Sequence, residues 1–123
     1  MFQVFFGRRP QASKRANQST IQDIAPAELY HRLQTAESML ILDVRLSQEY
    51  AADGHISGSR LLPLPHLRQR ANELPAHRPI VCVCRAGNRS RVACEQLARL
   101  GFSNLYNLSS GLVGWRLAGL PFG

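Results

Sequence analysis

PIVCVC (79–84), running into RAGNRSRVACEQLARLG (85–101), is the stretch on which the fold turns. Its first six residues are predominantly apolar without strict alternation, the pattern of a strand covered on both faces. A polar, glycine-containing turn follows. The segment after it repeats apolar residues at helical spacing, with Ala93, Leu97 and Leu100 on one face and Cys94 and Ala98 beside it. Gly101 is placed to close that helix. Strand, turn and helix in this order form the unit of a parallel sheet, because parallel neighbours need a crossover connection.

The same alternation continues on either side. MLILDV (39–44) reads as a second buried strand, and TIQDI (20–24), SRLLPL (59–64) and NLYNL (104–108) as shorter extended segments. Pro26 suits the first turn of a helix, PAELYHRLQT, with Leu29, Leu33 and Tyr30 inward, although Ala25 is a poor N-cap. SQEYAADG (47–54) predicts a short helix capped by Ser47 and ended by Gly54. PHLRQRANEL (65–74) predicts another, just before Pro75, and GLVGWRLAGLP (111–121) a closing helical turn or two. No hairpin signal interrupts the series. The expected fold class is therefore α/β, one domain over residues 21–123. It should hold a mostly parallel central sheet of about five strands with helices on both faces.

A chain of 123 residues with 45% hydrophobic content is one domain's worth, with enough apolar material for one core. Fourteen of its fifteen basic residues are arginine, the side chain suited to flat oxyanions. Residues 1–20 carry Arg8, Arg9, Lys14 and Arg15 and no acid, leaving +3 on the remainder. That segment is expected to be a poorly ordered basic extension; its apolar start, MFQVFFG, precedes the basic residues, the reverse of a secretory signal, and is too short to span a membrane. No run interleaves aromatic and basic residues, so nucleic acid is not an expected partner. Cys82, Cys84 and Cys94 make neither a CxxC pair nor a zinc-spaced cluster. They suggest a reducing compartment, hence the cytoplasm.

In open parallel sheets ligands bind beyond the carboxyl ends of strands, often against a helix N-terminus. Cys84 ends a buried strand about five residues before a helix. Backbone N–H groups, the helix end and Arg85 and Arg89 there all favour thiolate over thiol. Gly87 can take a positive φ and curl Arg85, Ala86, Gly87, Asn88, Arg89 and Ser90 into an anion-binding nest, with Ser90 as the helix N-cap. Cys82, between Val81 and Val83, and Cys94, on the inner helix face, read as core packing.

CRAGNRS (84–90) resembles the active-site loop of rhodaneses. ILDVRLSQEYAADGHISGSRLLPL (41–64) resembles that family's segment from LDVR through a glutamate-bearing helix to GHI, and GLVGWRLAGLP (111–121) resembles its closing segment. The likeness spans roughly residues 21–121; Ser110–Gly111 departs from the paired glycines common there, and residues 1–20 have no counterpart. The resemblance implies ping-pong sulfur transfer, in which Cys84 takes the outer sulfur of a small anionic donor such as thiosulfate and becomes a persulfide. A thiol or cyanide, or a partner protein's cysteine, then takes that sulfur. It implies no metal and no organic cofactor, and the chain is expected to act as a monomer.

In this reading Arg85 and Arg89 draw in the donor and hold its sulfonate. Asp43 and Arg45, at the end of the other buried strand, flank the site as supporting residues or form a structural salt bridge. Glu49 is expected to be solvated or to brace a loop, His55 to make a structural hydrogen bond, Trp115 to pack the last helix, and Arg91 to remain solvated. Two rivals stand beside this. Phosphatases and arsenate reductases carry cysteine, five residues, then arginine; here that place holds Ser90, and the arginine is Arg89. A non-catalytic interaction module of the same domain class would usually lack the cysteine.

Overall fold

The computed structural model describes residues 21–35 and 37–123, so the expected extension over residues 1–20 lies outside the described residues. The chain runs β1 (Ile21–Ile24), α1 (Pro26–Gln34), β2 (Leu40–Asp43), α2 (Ser47–Ala52), β3 (Arg60–Leu61), α3 (Leu67–Arg70), β4 (Ile80–Val83), α4 (Asn88–Arg99), β5 (Leu105–Leu108) and α5 (Gly111–Leu117). The five strands form one sheet in the order β1-β5-β4-β2-β3, and every pairing is parallel.

The unbroken apolar runs are explained by the two layers around the sheet. Leu40, Leu42, Ile80, Cys82 and Leu105 pack on one face with Leu67 of α3 and Ala93, Cys94, Leu97 and Ala98 of α4. Ile41, Val81, Val83 and Leu108 pack on the other with Leu29 of α1, Ile56, and Leu112 and Trp115 of α5. Alternate residues thus face opposite cores, so nearly every position of β2 and β4 is apolar. Trp115 fills its layer as expected, its Nε1–H donating to the Pro121 carbonyl at 2.9 Å.

Several local expectations need correction. The segment 65–74 is not one helix: a 3-10 turn (Leu64–His66), the single turn of α3 and a second 3-10 turn (Ala71–Glu73) follow one another. Leu67, Ala71 and Leu74 are its buried anchors, and satisfying them from a short connection decides its shape. The extended segment at 59–64 pairs only over Arg60–Leu61. Leu100 is 49% exposed rather than inward, because it stands at the C-cap where the chain turns away through Gly101 at φ 102°. Ser47 is the first helical residue of α2 and Leu46 the N-cap. Glu49 supplies the cap instead, accepting the Leu46 N–H at 3.0 Å.

Candidate active site

β4 delivers Cys84 to the carboxyl edge of the sheet, at the centre rather than the rim. Between it and α4 the chain turns at Gly87, whose φ of 97° is a conformation that L side chains rarely adopt. A Cβ there would also run into the carbonyl of Ser109. Gly111, at φ 67°, is equally confined, since a Cβ would meet the Arg85 carbonyl. The loop and the start of α5 are packed backbone to backbone. The first amides of α5 are satisfied by this contact: Leu112 N–H donates to Cys84 O at 2.9 Å and Val113 N–H to Arg85 O at 3.0 Å.

The turn aims hydrogen-bond donors at the sulfur. Gly87 N–H lies 3.2 Å from Cys84 Sγ and Ser90 N–H 3.3 Å. The thiol itself donates to Ser90 Oγ at 3.4 Å. Burial of the residue, only 2% exposed, opposes ionisation. The hydrogen bonds from the Ser90 hydroxyl and from the Ser90, Gly87 and Ala86 amides outweigh it, and the Cys84 thiol is held below its ordinary value. Cys82 behaves oppositely: the neighbouring Cys94 thiol and full burial push its thiol up. Among three buried free cysteines, Cys84 is the one surrounded by donors.

Ser90 does not cap α4. The helix begins at Asn88 with Gly87 as N-cap, which places Ser90 within the first turn, where its hydroxyl serves the sulfur. That hydroxyl donates to Asn107 Oδ1 at 2.5 Å, and Asn107 Nδ2 donates to the Gly87 carbonyl at 3.2 Å. Asn107, 2% exposed on β5, therefore ties the turn to the neighbouring strand. Sequence reasoning missed it. The signal was a lone amide in NLYNL, since a polar side chain in a buried strand needs a partner.

The charged and titratable residues near the turn fall into ion pairs and singly placed side chains. Asp43 and Arg45 form a buried pair, with Nη2–Oδ2 at 2.9 Å and Nε–Oδ1 at 3.0 Å; Arg45 also donates to the Gly54 carbonyl at 2.8 Å. They brace the β2–α2 connection. Arg89 is held by Glu49 through two bonds of 2.7 and 2.9 Å. The Arg89 guanidinium and, after it, the Leu46 amide hold the Glu49 carboxyl down to about 2. Arg85 is exposed and makes no ion pair with another described residue. His55 is structural: its Nδ1–H donates to the Tyr50 carbonyl at 3.0 Å and its ring stacks on Tyr50 at 3.7 Å. Arg91 is exposed.

The family model for the rhodanese-like domain matches residues 25–118. A protein named sulfurtransferase from Allochromatium vinosum is 35% identical over 101 residues, covering 82% of this chain and 94% of that one. The thiosulfate sulfurtransferase GlpE of Pseudomonas aeruginosa is 34% identical over 97 residues, covering 79% and 86%. Among solved structures, a rhodanese-related protein from Thermoplasma volcanium superposes with a TM-score of 0.76 at 30% identity, covering 83% of this chain and 97% of that one. By sequence and by architecture, the chain belongs to the rhodanese-like domain family.

Proposed function

We propose that the protein is a sulfurtransferase that carries sulfane sulfur as a persulfide on Cys84. The observation that carries this reading is the set of N–H donors around a thiol whose ionisation is favoured. The thiolate attacks the outer sulfur of thiosulfate, the S–S bond of the donor breaks, and its electron pair leaves with sulfite. The outer sulfur remains as Cys84–S–SH, an acidic group that the same turn stabilises once ionised. Cyanide, a thiol or a partner protein's cysteine then attacks that sulfur and returns Cys84 to the thiolate. Two relatives are named thiosulfate sulfurtransferase or sulfurtransferase, and a third, covered only to 53% of its length, a putative sulfur carrier protein.

Arg85 meets the sulfonate of the donor, since its guanidinium has no carboxylate partner among the described residues. Arg89, committed to Glu49, orders the turn and adds positive charge beside it. Ala86, Gly87, Asn88 and Ser90 shape the backbone cradle; Asp43 and Arg45 hold the connection that carries Glu49. The three free cysteines fit a reducing compartment such as the cytoplasm.

Intact mass without reductant tests the reading. Thiosulfate should add one sulfur, ~32 Da, which cyanide removes and which Cys84→Ser never acquires. If neither thiosulfate nor a persulfide-bearing cysteine desulfurase loads Cys84, the sulfur-carrier reading is wrong.

A further inference from the structure

Asn107 carries neither charge nor nucleophile, yet it is buried beside the sulfur's own hydrogen-bond partner, and its neighbours fix how its amide lies. The Gly87 carbonyl can only accept, so Nδ2 donates to it at 3.2 Å and Oδ1 faces Ser90. Oδ1 in turn can only accept, so the 2.5 Å bond between them takes the single proton of the Ser90 hydroxyl. What Ser90 then offers Cys84 Sγ, 3.4 Å away, is a lone pair. Among the described residues Ser90 is the partner of Oδ1, whereas the Gly87 carbonyl has a second donor, the Arg91 amide at 3.3 Å.

The three states of the sulfur make different demands on that proton. A thiol is a donor, and the Ser90 lone pair satisfies it. A thiolate can only accept, so the hydroxyl must turn to it and leave Oδ1 buried and unpaired. In the persulfide anion Sγ is a neutral divalent sulfur and a weak acceptor, the charge sits on the outer sulfur, and the hydroxyl returns to Asn107.

We propose that Asn107 is a positioning residue that acts on Cys84 through Ser90, favouring the thiol and the persulfide over the bare thiolate. The persulfide half of this rests on the sulfur-carrier reading. In that exchange thiolate and thiosulfate stand on one side, persulfide anion and sulfite on the other. Sγ bonds to the outer sulfur of the donor, whose S–S bond breaks and leaves its electron pair on sulfite. Raising the free energy of the thiolate drives this exchange toward the loaded side.

Other titratable and charged groups lie around Cys84 on every element packed there. β4 itself brings Cys82, β2 and its end Asp43 and Arg45, α2 Glu49, and the turn with the start of α4 Arg85 and Arg89. His66, in the 3-10 turn before α3, is exposed, and the Tyr106 hydroxyl of β5 is engaged by Arg32 of α1. α5 contributes the Leu112 amide, which holds the Cys84 carbonyl. Their charges are the same in wild type and in a variant at position 107, so they cancel in the comparison that tests the proposal.

The first half is read from the pH dependence of iodoacetamide alkylation in the full chain, followed at the Cys84 peptide. Asn107→Leu, similar in volume but without an acceptor, should lower the midpoint by about one pH unit, a tenfold gain in thiolate. Should the leucine variant not fold, Asn107→Val, suited to a strand, carries the same expectation. Asn107→Asp should leave the midpoint at or above that of wild type. Protonated, its carboxyl reproduces both amide bonds; ionised, it holds the Ser90 proton harder and repels the thiolate. In a Ser90→Ala background Asn107→Leu should shift nothing. A midpoint unchanged or raised by leucine or valine, one lowered by aspartate, or the same shift without the Ser90 hydroxyl overturns the proposal. The second half is read by intact mass at a fixed ratio of thiosulfate to sulfite, at a pH above both midpoints. The ratio of loaded to unloaded Cys84 should fall about tenfold in Asn107→Leu, and an unchanged ratio overturns this half. An alkylation shift in proteins that never take up sulfur removes the carrier reading and leaves the hold of Asn107 on the thiol standing. Loading without an alkylation shift does the reverse.

Discussion

At Cys84 two opposing effects meet, burial disfavouring the charged sulfur and hydrogen bonds favouring it, and the bonds prevail. The Ser90 hydroxyl is the strongest of these and has one proton to give. In the thiol form it accepts from Sγ and donates to Asn107; on ionisation it can rotate toward the sulfur. Ser90→Ala should therefore raise the Cys84 pKa. Iodoacetamide alkylation at pH 7 should slow by roughly tenfold, the factor that corresponds to one charged hydrogen bond of about 1.5 kcal/mol. A second test at this scale concerns Gly87. Alanine there meets both a positive φ and the Ser109 carbonyl, and a loss of about 2–4 kcal/mol in urea unfolding is expected. An unchanged midpoint would mean that the turn adjusts more easily than its packing against Ser109 implies.

The elements place these residues by burial. α4 lies on the sheet through Ala93, Cys94, Leu97 and Ala98, and its N-terminus points at Cys84 only because that face is fixed. Leu97→Ala should cost about 2–5 kcal/mol in thermal or urea unfolding, as a fully buried leucine does when its space cannot collapse. The β2–α2 connection depends instead on the Asp43–Arg45 pair. Both side chains are nearly inaccessible, so Arg45→Met leaves a buried carboxylate without its cation. A destabilisation of about 3–5 kcal/mol is expected, partly relieved when Asp43 is also replaced by Asn. If the double variant is no more stable than the single, the pair is not what orders the connection.

Across the whole molecule, the Glu49–Arg89 ion pair joins the connections that leave β2 and β4. The folded-state carboxyl at about 2 lies below its ordinary 4.5. Its contribution is thus complete above about 4.5 and is lost as pH falls toward 2. Because both side chains are partly exposed, the contribution should not exceed about 1 kcal/mol. Urea midpoints of the wild type and Glu49→Gln should differ at pH 7 and converge as pH is lowered through that window. A difference that persists at pH 2 would assign the effect to packing rather than charge.

The continuous apolar runs of β2 and β4, the helical period over 90–100 and the polar turn after Cys84 were legible directly, because periodicity and turn chemistry are local properties. So was the resemblance to the rhodaneses, carried by ordered local motifs. Within the segment 65–74 the local signal misled: a helical pattern gave way to three short turns once Leu67, Ala71 and Leu74 had to reach one core. The same limit applied at the site. Ser90 looked like a cap because its contacts with Cys84 and Asn107 cannot be read from neighbours in sequence, and Glu49 finds Arg89 forty residues away. Sequence by itself determined the layers of the fold and the thiol at the strand end, through patterns that repeat over a few residues. Only the tertiary structure decided where Ser90's proton goes and which arginine is committed to a carboxylate, because burial and long-range contact set those choices.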